Sequence, residues 1–312
     1  LLVSAVLMLV IGMRLGLELV DHVKPTLRRT SVPGSLEGDP DQLADLINER
    51  ADRHARTWGV IIAAVILAAY TWVYVARGTF EREFVLVLLA AGGGYLAGRV
   101  IGRMLAVSSM GRIIECDDRW AIHPQVASLD GAAGLAPVGV LYLRQASVLF
   151  IPAAFLATWW AVMPLLVSLG HYERWNDWRT PYLALLPVAL ALEVIGFLGP
   201  MLSFHRQMKQ FRDSHLVAVD AEVSKRLAEI EPRLGSTHDP DERRALKDEI
   251  AVLKERYATA TQLPTWPIDR RVRRRFSVNN AVLLVPLVGK LLGLSGFWAD
   301  LAGVIGKIFG EG

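Results

Sequence analysis

The chain has 312 residues and combines a 53% apolar content with 34 basic and 31 acidic residues, so its net charge is only +3. Its mean hydropathy is nonetheless positive, at +0.34, which requires apolar and charged residues to be segregated along the chain. This pattern is typical of membrane spans joined by polar loops, and it argues against a soluble enzyme or a disordered chain. The single cysteine, Cys116, excludes an internal disulfide.

Membrane spans are predicted in four internal segments, because a spanning helix needs roughly 20 mostly apolar residues. These segments are 57–76, 84–105, 147–169 and 182–204. A fifth segment, 1–20, is apolar until Arg14 and Glu18. It is interpreted as another span, with the apolar part of a signal peptide as the alternative. The predicted fold class is therefore an all-α integral membrane protein with about five transmembrane helices.

Basic residues predict the orientation of these spans. The stretches 21–56, 106–146 and 205–276 together hold 25 Lys and Arg residues, whereas 77–83 and 170–181 hold four. Because cytoplasmic loops carry the excess of basic residues, the rich stretches are predicted to be cytoplasmic and the N-terminus to lie outside. The expected location is the inner or plasma membrane. Residues 1–204 thus form a helix bundle with cytoplasmic loops 21–56 and 106–146.

A cytoplasmic antiparallel helical hairpin is predicted for residues 205–264. Apolar residues recur there at coiled-coil spacing, and Pro232 and Gly235 are expected to break the first arm. Asp239-Pro240 opens the second arm as a capping Asp followed by Pro, and Asp39-Pro40 opens an earlier helix in the same way. The sequence does not decide whether the apolar seam is internal to the hairpin or also contacts a second copy or another protein.

Residues 265–312 are predicted to form a basic juxtamembrane segment and a C-terminal apolar or amphipathic pair of helices. Five arginines should set topology and contact anionic lipids, namely Arg270, Arg271, Arg273, Arg274 and Arg275. Residues 281–294 are apolar but too few to span alone. From Phe297 onward the period is that of an amphipathic helix. A re-entrant pair and an interfacial pair both remain open.

The third span carries a stripe of small residues and two cations. Gly94, Gly98 and Gly102 recur at intervals of four, which lets two helix backbones approach closely, either within one subunit or between subunits. Arg99 and Arg103 lie on the adjacent stripe. They are expected to extend toward the membrane surface, with an anion-attracting vestibule or an acidic partner as the alternatives.

Glu193 is the one acidic residue well inside an internal span. A carboxylate there is costly, and it usually faces a cavity or a partner. Two interpretations stay open. Glu193 is a satisfied buried group, either protonated or paired with a basic side chain such as Arg14 or one from a neighbouring subunit, or it lies on an ion path. Arg14 and Glu18 are also four apart and can pair locally.

Sites for a metal, a cofactor or catalysis are not predicted. The loop with Glu115, Cys116, Asp117, Asp118 and His123 fits no zinc or calcium spacing. Phosphate-binding loops, nucleophile elbows and His-Glu-x-x-His pairs do not occur in the sequence, so an enzyme is not expected. The modest net charge gives no indication of nucleic-acid binding.

Two short motifs carry a resemblance to a family. The loop between the third and fourth spans contains His123-Pro124 and Asp130-Gly131-Ala132-Ala133-Gly134-Leu135, and Trp266-Pro267-Ile268-Asp269 precedes the last apolar stretch. Over roughly residues 84–295 the chain resembles uncharacterised bacterial polytopic membrane proteins with a His-Pro and Asp-Gly-x-Gly-Gly-Leu loop, a helical hairpin and a Trp-Pro-x-Asp segment. It departs by extra residues after His-Pro and by Ala133 in place of Gly. The resemblance implies a layout and no activity.

Two functions follow as hypotheses from different classes. The glycine stripe, Glu193 and the broken C-terminal segment favour a homo-oligomeric channel- or pore-type protein. The hairpin heptads and the lack of an ion-filter motif favour a membrane-anchored adaptor that recruits a partner protein through the hairpin.

Overall fold

The computed structural model describes residues 2–32, 34–76, 80–126, 128, 130–168 and 179–291, and it is about 85% helical. The all-α prediction is therefore confirmed. The described helices are α1 (Leu2–Asp21), α2 (Val23–Ser31), α3 (Pro40–Ala76), α4 (Phe80–Ser108), α5 (Met110–Cys116), α6 (Ala136–Ser168), α7 (Arg179–Ser236), α8 (Pro240–Thr261) and α9 (Arg270–Leu291). Two short strands, β1 (Leu36–Glu37) and β2 (Ala121–Ile122), pair antiparallel, with Leu36 opposite Ile122.

Four helical stretches are long and apolar enough to cross a membrane: Pro40–Ala76, Phe84–Cys116, Ala136–Trp159 and Leu185–Ser236. Each contains most of one of the four predicted internal spans, which supports a membrane protein. Residues 2–21 are helical as α1 but are not among the four, so the first predicted span stays a prediction. The orientation also stays a prediction.

Helix boundaries follow local chemistry where the sequence places a capping residue. The Asp39 carboxylate accepts a hydrogen bond from the Asp41 backbone N–H at 2.9 Å, and Asp239 accepts one from Asp241 at 3.0 Å. The helix opened by Asp39 continues without a break into the predicted second span, as one helix of 37 residues. The helix that follows the fourth internal span ends at Ser236, next to Gly235 where a break was expected, but it continues through Pro232, which was also expected to break it.

The main hydrophobic core lies where α1 to α7 meet, and Val272 of α9 also belongs to it. Tyr142 and Phe204 are fully buried in it, with their ring centroids 6.1 Å apart. Trp120, just before β2, and Leu135, just before α6, also belong to this core. The chain just before β2 and just before α6 is thus packed into the body of the protein.

The last part of α7 packs along α8 and forms a separate, smaller core. Val219, Val223 and Ile230 of α7 pack with Leu246 and Leu253 of α8. Ion pairs join Glu222 to Arg256, Arg226 to Glu249 and Arg233 to Glu242. As the residue numbers of the paired residues rise along α7, those of their partners on α8 fall, so the two helices run antiparallel. We call residues 216–261 of this arrangement the α7–α8 pair.

The basic segment and part of the apolar segment after it form one helix, α9. The five arginines are among its first six residues, and the helix ends at Leu291. The predicted amphipathic helix from Phe297, and with it the choice between re-entrant and interfacial helices, lies outside the described residues. Residues 170–178 of the predicted loop 170–181 also lie outside the described residues.

Candidate functional site

A proline in α7 creates the first element of the candidate site. Proline has no backbone N–H, so Pro200 cannot donate the usual helical hydrogen bond to the carbonyl of Gly196, four residues earlier. The side-chain amide of Gln145 on α6 donates to that carbonyl at 3.0 Å. The same amide nitrogen donates to the Ser108 hydroxyl at the end of α4, at 2.6 Å. We call the arrangement of Gln145, Gly196, Pro200 and Ser108 the proline junction.

Glu193 lies one helical turn before Gly196 on α7, and 1% of its surface is exposed. Its Oε1 accepts a hydrogen bond at 3.3 Å from the side-chain amide of Asn280 on α9. Asn280 also donates to the Phe276 carbonyl, and the Phe276 ring stacks on Phe197 with centroids 4.0 Å apart. Glu193 is therefore enclosed between α7 and α9, next to an aromatic pair.

Two buried oxygens at this place have no hydrogen-bond donor among the described residues. They are Glu193 Oε2 and Gln145 Oε1, and both residues are only 1% exposed. An unpaired buried acceptor costs about 1–3 kcal/mol, and a charged one costs more. A proton, a cation or a water molecule at these oxygens would remove that cost. We call Glu193, Asn280 and the proline junction the candidate site.

The predicted arginine partners lie elsewhere. Arg103 on α4 is buried, and the Arg99 guanidinium lies over the Tyr95 ring, 5.9 Å from its centroid. Arg14 pairs with Glu18, at 2.9 Å, rather than with Glu193. In the part of the chain that the structure describes, no hydrogen bond or ion pair joins Glu193 to an arginine. The structure thus does not bring Glu193, Arg99 and Arg103 together.

The glycine stripe of α4 faces α3 of the same chain. A Cβ at Gly98 would lie 2.8 Å from the Gly59 Cα, and one at Gly102 would lie 2.7 Å from the Ala55 Cα. A Cβ at Gly94 would lie 2.6 Å from the end of the Ile66 side chain. Because such distances leave no room for a side chain, the two backbones touch here. We call this contact the glycine seam.

The five arginines of α9, Arg270, Arg271, Arg273, Arg274 and Arg275, are all exposed, whereas Val272 between them is buried. Asp269 caps the helix, since its carboxylate accepts the Val272 backbone N–H at 2.6 Å. The cap offsets part of the repulsion between the positive helix N-terminus and the cluster. The arrangement presents five positive charges on one short stretch.

The acidic loop residues are distributed among separate ion pairs. Glu115 pairs with Arg206 at 3.0 Å, and His123 pairs with Glu37 at 2.7 Å. The Arg119 guanidinium, 2.7 Å from Asp117, lowers the pKa of that carboxyl. Within the described ranges, three metal-ligating side chains do not meet at any point.

The loop 130–136 is organised around one carboxylate. Asp130 accepts hydrogen bonds from the backbone N–H groups of Ala132, Gly134 and Ala136, at 2.8–3.1 Å. Burial alone would raise the pKa of Asp130, but these hydrogen bonds together lower it below its usual value. Asp130 therefore works as a structural anchor at the start of α6.

The Trp-Pro-x-Asp segment is held against the same end of α6. The Trp266 ring stacks on the His205 ring with centroids 4.2 Å apart, and the His205 ring nitrogen lies 2.7 Å from the Thr265 carbonyl oxygen. Pro267 lies against Gly139 of α6. The Asp130 loop and the Trp-Pro-x-Asp segment thus both pack at the beginning of α6.

Sequence reasoning missed Gln145, Asn280 and the role of Pro200. One signal was available, because a proline inside an apolar helix frees the carbonyl four residues earlier and so requires a donor from another helix. Gln145 at the start of the fourth predicted span was a candidate for that donor. The pairing of Asn280 with Glu193, 87 residues apart, had no signal in the sequence.

Comparisons with protein-family models, with curated proteins and with solved structures give no match for this chain.

Proposed function

We propose that the chain is a subunit of a homo-oligomeric membrane protein of the channel or pore type, with Glu193 on the ion path. The observation that carries this proposal is the pair of buried oxygens, Glu193 Oε2 and Gln145 Oε1, that lack donors among the described residues. Both lie in helices long and apolar enough to span a membrane.

The choice of a conduction role rests on the partner that Glu193 has. A buried carboxylate retained only for structure is normally paired with a cation and fully hydrogen-bonded. Among the residues that the structure describes, Glu193 has one neutral partner, Asn280, on a single oxygen. In this proposal, the Glu193 oxygen and the Gln145 amide oxygen that have no donor among the described residues are ligands for a cation and do not enclose it. Such partial coordination lets an ion bind and leave, as conduction requires.

Exposed apolar surface on the candidate spans supports assembly. Val60, Ile61 and Val65 of α3 and Leu88 and Leu89 of α4 are all more than 40% exposed. These faces contact lipid or further copies of the chain. Because the glycine seam is occupied within the chain, the subunit interface of the proposed oligomer uses these other faces.

The remaining features are assigned as follows in the proposal. The N-terminus lies outside the inner or plasma membrane and the α7–α8 pair is a cytoplasmic hairpin, as the distribution of basic residues indicates. The five exposed arginines of α9 contact anionic lipids at the cytoplasmic face, each contributing about 1 kcal/mol near the surface. No cofactor is assigned.

The test is ion flux through liposomes that contain the purified chain. Wild type should pass monovalent cations, and Glu193→Gln and Glu193→Leu should assemble as wild type does but change the flux. Glu231→Gln is the matched control, since Glu231 is an exposed carboxylate on the same helix. The expected control result is unchanged flux.

Two results would contradict the channel. One is normal assembly with no flux in wild type or variants, and the other is the same flux in wild type and in both Glu193 variants. Size measurement in detergent belongs to the same experiment, because a monomer has no copy with which to form a shared path.

A membrane-anchored adaptor is the second candidate, and the surface of the α7–α8 pair favours it. Val217 is 70% exposed and Val252 62% exposed, although their neighbours in the sequence pack in the small core. A contiguous exposed apolar patch is typical of a site that contacts another protein, and in this alternative proposal Val217 and Val252 belong to such a patch. Val217→Ser and Val252→Ser should then impair the cellular role of the protein while leaving its helix content and melting temperature unchanged.

A further inference from the structure

A groove of about 590 Å³ lies between α2, the Asp130 loop and the first turns of α6. Arg29 at the end of α2 and Arg144 on α6 both line it, with His22, Val140 and Leu141. The Arg29 and Arg144 side chains come from residues 115 positions apart in sequence, so the fold itself brings two guanidinium groups to one concave surface.

Neither arginine is neutralised by a protein partner in the described part of the chain. The neighbouring cations are paired, since Arg28 binds Asp41 at 2.6 Å and Lys24 lies 3.6 Å from the same carboxylate. The side chains of Arg29 and Arg144 form no hydrogen bond or ion pair with any residue that the structure describes, and both residues are exposed. The groove thus holds two free guanidinium groups.

Asp130 also lines the groove, but its charge is already engaged. Its two carboxylate oxygens accept three backbone N–H groups from residues 132, 134 and 136. These hydrogen bonds orient the carboxylate toward the loop, and no ion pair joins it to either arginine among the described residues. The groove therefore has two positive charges, on Arg29 and Arg144, and one negative charge, on Asp130, whose carboxylate is already hydrogen-bonded to backbone N–H groups.

The position of the groove indicates what kind of anion it takes. Arg144 lies in the candidate spanning helix Ala136–Trp159 and three residues before the span 147–169 predicted from the sequence. An exposed cation that close to the end of a predicted span is expected at the level of the lipid headgroups. Guanidinium groups bind phosphate through two parallel hydrogen bonds and are the usual residues for that task. Val140, one turn from Arg144 and 41% exposed, adds an apolar wall.

We propose that this groove binds the phosphate of an anionic phospholipid headgroup between Arg29 and Arg144. The site is separate from the arginine cluster of α9, and it does not depend on ion conduction. Its ligand is a resident lipid that links α2 to α6, rather than the lipid surface as a whole.

The test uses the full chain purified in a neutral detergent and a short-chain probe, dioctanoylphosphatidylglycerol, with the dioctanoyl phosphatidylcholine as reference. Bound lipid is counted by native mass spectrometry. We expect the anionic lipid to be retained over the zwitterionic one, and the double substitution Arg29→Gln and Arg144→Gln to weaken its binding about tenfold or more. Arg29→Lys with Arg144→Lys should weaken it less, because the charges remain.

The matched control is Arg243→Gln with Arg244→Gln, two exposed arginines of α8 outside the groove. Each variant is also made with Gln at residues 270, 271, 273, 274 and 275, so that lipid held by the α9 cluster does not obscure the result. Equal retention of the two lipids, or the same loss in the control as in the groove variant, would overturn the proposal. Full competition by inorganic phosphate would overturn the assignment to a lipid and point to a soluble phosphate ligand.

Discussion

The glycine seam and the proline junction are two ways of joining candidate membrane helices in one chain. At the glycine seam, α3 and α4 touch because three residues of α4 have no side chain. At the proline junction, α4, α6 and α7 are joined by one polar side chain, Gln145, which serves a carbonyl that Pro200 leaves free. The glycine seam requires that α4 carry no side chain where it meets α3. The proline junction requires a hydrogen-bond donor, which Gln145 provides.

This difference places the candidate site on the α6–α7 side of the molecule. A contact made only by backbone and glycine leaves no side chain free for a ligand. A junction built from polar groups leaves spare acceptors, here Gln145 Oε1 and the nearby Glu193 Oε2. The contact between α3 and α4 is therefore close packing alone, whereas the groups that could bind a ligand lie on the α6–α7 side.

Gly98→Leu should have the largest effect. Its side chain would occupy the space of the Trp58 carbonyl and the Gly59 Cα, which are backbone atoms and cannot turn away. We expect a loss of about 3 kcal/mol or more, since α3 and α4 must separate. Thermal unfolding in detergent measures the loss. Gly92→Leu is the matched control, because nothing lies within 4 Å of a Cβ at that position. Equal melting temperatures for the two variants would mean that the seam does not hold α3 to α4.

Gln145→Leu tests the junction by removing the donor. The Gly196 carbonyl then stays buried without a partner, which should cost about 1–3 kcal/mol. Pro200→Ala gives back a backbone N–H to that carbonyl, so Gln145→Leu should cost less when Pro200→Ala is also present. A double-mutant cycle of unfolding free energies measures this coupling.

Additive losses in that cycle would show that Gln145 acts on something other than the freed carbonyl. Gln145→Glu keeps the size of the side chain and removes the amide donors, so it should be as costly as the leucine variant or more so. The two substitutions together separate the need for a donor from the need for volume.

Asp130→Asn should have an intermediate effect, because an amide retains one oxygen for the loop N–H groups but loses the hydrogen bond from Ala136 to the second oxygen. Since the folded-state pKa of Asp130 is lowered, its stabilisation is fully present above the unfolded pKa of about 3.9 and disappears as pH falls through the folded value. Unfolding curves between pH 3 and pH 7 should show a smaller acid-dependent loss in Asp130→Asn than in wild type. Parallel curves would contradict this.

The sequence predicted those features that local pattern determines. The apolar segments at 57–76, 84–105, 147–169 and 182–204 were placed correctly because a span is a local property, and Asp39 and Asp239 were recognisable as caps because the bond spans two residues. The first hairpin arm was expected to break at Pro232 and Gly235. Helix α7 ends at Ser236, next to Gly235, and only Pro232 does not end it, since Pro weakens a helix without always ending it.

The candidate site could be predicted only in part. Glu193 stood out because a carboxylate in a span is expensive wherever the other helices lie. Its partner Asn280 and the neighbouring Gln145 depend on how α6, α7 and α9 pack, and no spacing along the chain encodes that packing. Arg99 and Arg103 were expected to extend toward the membrane surface, to line a vestibule or to meet an acidic partner. They lie on α4, where the described contacts of Glu193 do not reach.

Ala133→Gly should have the smallest effect, and its sign is opposite to that of the others. Ala133 has φ of +53°, a left-handed conformation that costs an alanine about 1–2 kcal/mol. Glycine adopts it readily but loses more entropy on folding, so the net gain should be about 0.5–1 kcal/mol. The Ala133 carbonyl would keep its hydrogen bonds from the Gln125 N–H at 2.9 Å and the Ser35 hydroxyl at 3.3 Å, since both use the backbone. Unfolding free energy measures the change, with Ala132→Gly as the control outside the left-handed region. A loss of stability at Ala133 as large as that at Ala132 would show that the Ala133 methyl group, which is buried in the core, contributes more by packing than its backbone conformation costs.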